Sequence, residues 1–212
     1  MKILKGIILI NLAFVLISCR SIQTSGPTPL NVTSTYKHAG SEMSFPENIG
    51  KFQRVQVTQY APEEKDVGIG YNLYDPASPV IATVYVYPAP GVVSIGSPPD
   101  VAETAKALMF QGHLNAVKGE IMRAHPDAKL ISENSVVVTL GAQSHKGKKV
   151  AYEFAYAFGP TLYESISQLY LFQNNDWMIK YRFTFPKVTA LASEAAVMDF
   201  LNKLEWPTRG NS

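Results

Sequence analysis

The side chains able to do chemistry are scattered along the chain. Four histidines, His38, His113, His125 and His145, form no HExxH pair and no close cluster with carboxylates, so their spacing predicts no metal centre. No GxSxG elbow offers an activated serine. Gly68-Ile69-Gly70 sits inside an alternating strand pattern and lacks the following helix that a phosphate loop needs. Glycines there leave room for an aromatic neighbour or a bulge. Glu63-Glu64-Lys65-Asp66 reads as a solvated turn between strands rather than as a carboxylate pair for acid–base work. A single cysteine, Cys19, excludes a disulfide framework, a Cys zinc cluster and a CxxC redox pair. The expectation is a protein that is not an enzyme, with no catalytic residue, no metal and no cofactor.

The one thiol has an informative setting. Lys2 and Lys5 precede about a dozen mostly apolar residues, Gly6 to Ile17, broken only by Asn11. As a helix this run spans about 18 Å, short of the roughly 30 Å hydrocarbon core of a bilayer, so it reads as an export signal and not as a stable span. Leu16-Ile17-Ser18-Cys19 then resembles the lipobox of bacterial lipoproteins. The resemblance implies cleavage before Cys19, lipid on its thiol and acylation of the new amino terminus. Several acyl chains make a durable anchor, each buried CH₂ contributing about 0.8 kcal/mol. Arg20, where the sorting pattern that this resembles has Asp for inner-membrane retention, implies an outer-membrane lipoprotein facing the periplasm.

Composition agrees with a folded exported body. The 212 residues are 46% hydrophobic and 17% charged, which excludes a disordered chain and a multi-span membrane protein. Two of the 19 basic side chains lie in residues 1–18, so 17 remain beside 17 acidic ones after cleavage. No basic stripe with interleaved aromatics suggests nucleic acid as a partner. Residues 1–18 are expected to be a signal peptide. Residues 19–41, rich in Ser, Thr, Pro, Gly and Asn, are expected to be the lipidated Cys and a flexible tether. Residues 42–207 make one domain, and 208–212 a tail.

Within the domain, strands are expected at 51–61, 66–75 and 80–87, the second with Val67, Ile69, Tyr71 and Leu73 on one face. A Pro/Gly loop at 88–99 precedes a long helix, 100–124. Asp100 is its candidate cap, with Glu103 completing a capping box. Val101, Ala105, Leu108, Met109, Gly112 and Ala116 are its apolar positions, and Gly119 is its candidate break or kink. Four strands follow at 128–140, 147–158, 161–172 and 177–185. His145 to Lys149 forms a basic hairpin tip, and Asn174-Asn175 a tight turn. The third of these turns into a last strand with Trp177, Ile179, Tyr181, Phe183 and Phe185 on one face and Met178, Lys180, Arg182 and Thr184 on the other. A closing helix at 190–205 shows Val197, Phe200, Leu201 and Leu204 as a narrow stripe.

The fold class is therefore α+β: a single antiparallel sheet of about seven strands, in the order βββ-α-ββββ-α, flanked by two amphipathic helices. This order, with the aromatic strand 177–186 followed by an Ala-rich amphipathic helix, resembles the Mog1/PsbP-like α/β/α sandwich. The resemblance implies action through binding or assembly and carries no functional residue.

Two features are candidate contacts. Val92, Val93 and Ile95 are apolar residues in the Pro/Gly loop that either fold over the core edge or meet a partner or membrane. The aromatic rows containing Tyr152, Tyr156, Trp177 and Tyr181 either form core or line a cleft. The functional expectation is a non-catalytic outer-membrane lipoprotein with a periplasm-facing binding or assembly domain, its partners the membrane through Cys19 and an envelope protein. The alternative is a carrier of a small apolar ligand or lipid in an aromatic-lined cleft.

Overall fold

A computed structural model describes residues 26–91, 98–140 and 143–207. Strands β1 (Thr28–Leu30), β2 (Tyr36–Lys37), β3 (Ser44–Phe45), β4 (Asn48–Ile49), β5 (Phe52–Gln59), β6 (Val67–Leu73) and β7 (Val80–Pro88) lead into helix α1 (Pro99–Ala124). Strands β8 (Lys129–Leu140), β9 (Gln143–Phe158), β10 (Thr161–Asn174) and β11 (Trp177–Pro186) follow, and helix α2 (Ala190–Lys203) closes the fold. Nine strands make one sheet in the order β1-β5-β6-β7-β11-β10-β9-β8, with β4 also on β5, while β2 and β3 pair separately. Every pairing is antiparallel.

The α+β class, the order of the longer strands and both helices stand as expected, and short strands near the amino terminus bring the sheet to nine. Strict alternation decides which side chains meet which helix. Odd residues of β11 and even residues of β7 face α2, where Val84, Val86, Ile179, Tyr181, Phe183 and Phe200 join one core. Phe200 sets its ring edge-on to Phe52, Tyr71 and Phe183, at centroid distances of 4.9, 5.3 and 5.4 Å. The opposite face carries a smaller core, in which Leu114, Val117 and Ile121 of α1 meet Val150, Tyr152, Phe154, Leu169, Leu171 and Met178.

Several expectations are corrected. The segment read as a tether is folded from Thr28 onward: Tyr36 and His38 are buried. Arg54 of β5 holds it, its guanidinium donating to the carbonyls of Phe45 (2.7 Å), Val32 (3.3 Å) and Ser34. A long-range latch of this kind has no periodicity for a local reading to detect. Asp100 does not cap α1; the cap is Pro98, with no side-chain bond, and Thr104 donates instead to the Asp100 carbonyl. The helix runs unbroken through Gly119. Its buried stripe is Leu114, Val117 and Ile121, so Val101, Leu108 and Met109 stay exposed. His145 to Lys149 lies within β9 rather than at a hairpin tip.

Candidate functional site

The α1 side of the sheet holds an open cleft of about 510 Å³. Register builds its floor. β11 pairs with β7 so that Lys180 lies opposite Tyr85 and Arg182 opposite Thr83, and β6 pairs with β7 so that Gly68 lies opposite Tyr85. These residues share the face turned away from the α2 core. A Cβ on Gly68 would meet the Tyr60 ring at 2.9 Å and the Tyr85 ring at 3.2 Å. The glycine thus lets two tyrosines lie down on the sheet, and their ring centroids are 6.1 Å apart. The expected aromatic neighbour of Gly68 is present, and the expected bulge lies next door, between Arg54 and Gln56 of β5.

Helix α1 supplies the roof. His113, Val117, Glu120, Ile121 and Ala124 recur at helical spacing and line the cleft,. The His113 Nε2 and the Tyr87 hydroxyl are 2.7 Å apart. Lys180 is largely buried, its ammonium 4.4 Å from the Tyr85 centroid and 5.6 Å from that of Tyr87. Its nearest carboxylate is Glu120, at 3.8 Å and mostly exposed. Ring faces are electron-rich, so they soften the loss of hydration that such a cation suffers.

The electrostatics follow from partial burial. Desolvation pushes the Lys180 ammonium below the usual lysine range, against Glu120 and Asp66, which favour its charge. Desolvation also raises Asp66, although Lys180 opposes it. His113 is lowered, first by burial and then by Lys180. His125, the residue after α1, stacks on Phe154 at 4.0 Å and is lowered by burial and by Arg182. A neutral imidazole can accept a hydrogen bond, and Arg182 Nη2 lies 3.2 Å from His125 Nε2,. The site therefore has cations on its floor, carboxylates at its margin and neutral histidines along the helix.

The aromatic residues named from sequence do not converge on this cleft. Tyr181 is buried in the α2 core, where Trp206 Nε1 donates to its hydroxyl at 2.6 Å. Trp177, on the same face, sets an edge against His38 at 4.8 Å. Tyr152 and Tyr156 belong to the opposite face. Tyr170 lies opposite both Tyr181 and Lys149, and Lys149 is an odd number of residues from Tyr152. Tyr152 is buried beneath α1, and Tyr156 is half-buried beside Phe158 at 5.3 Å. No one surface gathers all four. Val92, Val93 and Ile95, like Cys19, lie outside the described residues.

Tyr60, Asp66, Tyr85, Tyr87, His113, Glu120, Lys180 and Arg182 were not anticipated as a group. The available signal was in β11, where Lys180 and Arg182 fall on the same face as buried Met178. Two cations on a helix-covered strand face need either partners or a solvent-filled recess. Among the described residues no group of three or more His, Cys, Asp or Glu side chains could hold a metal ion, and no helix is long and apolar enough to cross a membrane.

The fold and site define an antiparallel sheet sandwiched between two helices, with one helix lifted from the sheet over a charged recess. No family model matches the sequence, and no curated protein matches it. Among solved structures the chain is similar to the cyanobacterial PsbP (CyanoP) of Synechocystis sp. PCC 6803, determined in solution. The identity is 12% and the TM-score 0.39, over 91% of this chain and 99% of that one. A likeness of this depth transfers no residue role and no activity.

Proposed function

We propose that this chain is a non-catalytic binding protein of the bacterial cell envelope, tethered by lipid at Cys19 to the outer membrane and facing the periplasm, with the α1–sheet cleft as its binding site. The observation that carries the reading is the cleft itself. Its volume of about 510 Å³ lies within the range of small-molecule pockets, and polar groups converge on an otherwise tyrosine- and aliphatic-lined recess. The charged floor replaces the purely apolar cleft expected for a lipid carrier. The lipobox-like sequence before Cys19 supports the address, and Arg20 supports outer-membrane sorting.

Two measurements test the reading. Labelled palmitate should enter the protein and be lost with Cys19→Ser, which should also release the chain from the membrane fraction. Native mass spectrometry of the protein isolated from its own membrane should retain a small molecule that the double substitution Lys180→Gln and Arg182→Gln loses. A chain that stays membrane-bound without its thiol overturns the address, and a ligand that survives loss of both cations overturns the cleft.

A second reading rests on a separate observation. Val101, Leu108 and Met109 of α1 are exposed, which favours contact with an envelope protein partner through the outer side of the helix. Crosslinking in cells from position 108 would capture that partner, whereas crosslinking from Glu120 would not.

A further inference from the structure

We infer that the cleft selects a small organic anion, a carboxylate joined to an apolar or aromatic body, with Arg182 as the group that receives the charge. This rests on the reading of the cleft as the binding site and names its ligand class.

The assignment comes from comparing the four charged groups that line the recess. Lys180 is already compensated: Glu120 lies 3.8 Å away, Asp66 also favours its charge, and two tyrosine rings lie within 6 Å. Arg182 is different. Its hydrogen-bond partner is the neutral acceptor His125 Nε2 at 3.2 Å, and among the described residues it forms no ion pair with a carboxylate. A guanidinium presents five donors in a planar fork, and one bond to an imidazole leaves most of them unused. A carboxylate matches that fork with two parallel hydrogen bonds. Stacking of His125 on Phe154, at 4.0 Å and 17°, steadies the acceptor and with it the orientation of the guanidinium.

The rest of the recess suits the body of such a ligand. Val117, Ile121 and Ala124 of α1 form an aliphatic wall, and Tyr85 and Tyr87 face it from β7. Lys180, two residues before Arg182 on the same strand face, adds a second positive charge beside the head group. Register sets Gly70 in line with Arg182 and Gly68 in line with Lys180, so Asp66, two residues before Gly68, lies beyond Lys180 as seen from Arg182, while Glu120 is paired with Lys180.

Benzoate and benzylamine, which share a ring and differ in the sign of the head group, separate the possibilities. Binding to the detergent-solubilised full chain is read by ligand-observed NMR titration. Benzoate is expected to bind and benzylamine not. Arg182→Gln should weaken benzoate by about tenfold or more, since a charge-assisted pair is lost, while Arg182→Lys should restore part of it. Asp199→Asn, on α2 across the sheet, should change nothing. Unchanged thermal unfolding of the variants shows that a loss of binding is local. Preference for benzylamine, weakened by Asp66→Asn or Glu120→Gln, would overturn the anion assignment and leave the cleft standing. Failure of both probes, or binding indifferent to every cleft substitution, would overturn the cleft as well.

Discussion

The two faces of the central sheet are built from the same strands and finished differently. Helix α2 has 14 residues and buries Ser193, Val197, Phe200 and Leu201, while α1 has 26 and buries only Leu114, Val117 and Ile121. On the α2 side aromatic rings interlock, and Trp206 seals the end against Phe172 at 5.1 Å. On the α1 side the helix rests on the sheet along part of its length, and tyrosines, histidines and four charges occupy the gap. Close packing leaves no space for a ligand. A loosely covered face keeps space and charge at the cost of stability. One face supplies the rigidity that lets the other hold an open, polar recess.

Substitutions can break that contrast. The largest effect is expected at Phe200→Ala, which should lower the unfolding free energy by about 3–5 kcal/mol, because the interlocked rings cannot collapse into the cavity. Leu114→Ala on the other face should cost about 2–3 kcal/mol, near the low end for a buried leucine, since the neighbouring recess lets the site relax. Chemical denaturation of both variants checks the difference; equal losses would mean that the α1 face is as tightly built as the α2 face.

Acid should weaken the protein. His38, His113 and His125 are all held below their ordinary value of 6.5, in each case mainly by burial. The unfolded chain therefore binds more protons than the folded one in the window below about 6.5, so stability is present above that pH and is lost as pH falls through it. Thermal unfolding followed from pH 7.5 to pH 5 should show the decline, and the pair His113→Gln and His125→Gln should flatten it in part. A profile unchanged by the pair would place the acid sensitivity outside the cleft face.

Smaller effects sharpen the picture. Gly68→Ala should crowd Tyr60 and Tyr85, which lie 2.9 and 3.2 Å from the added methyl position. Overpacking costs on the order of 1–3 kcal/mol, the low end applying here because ring ends at an open cleft can shift. Its clearer readout is weaker benzoate binding. The smallest change is expected for Tyr152→Phe. The hydroxyl is buried without a hydrogen-bond partner, so removing it should leave stability unchanged or raise it by about 1 kcal/mol. A loss would show that the hydroxyl meets water or a ligand.

The longer elements were legible because their side chains alternate or recur at helical spacing. Val67, Ile69, Tyr71 and Leu73 are buried together, as the period of two requires. Val197, Phe200, Leu201 and Leu204 form the α2 contact as their spacing indicates. Asn175 adopts φ +53° in the turn before β11, as a residue tolerant of that region should. The short strands β1 to β4 were not legible, since two or three residues carry no period and their hold comes from Arg54 and the β5 edge. The buried stripe of α1 was misplaced because the helix has a second set of apolar residues, and only the sheet decides which set is covered.

The sequence by itself determined the strand faces, the two helices and the unusual pairing of Lys180 with Arg182 on one side of β11, because periodicity is a local property of the chain. Tertiary structure alone decided that Tyr181 and Tyr152 lie on opposite sides of the sheet. It also decided that Tyr60, Tyr85, Glu120 and Arg182, far apart in the chain, border one recess. Register and helix placement arise from contacts between distant segments, and no local pattern encodes the distance at which a helix stops above a sheet.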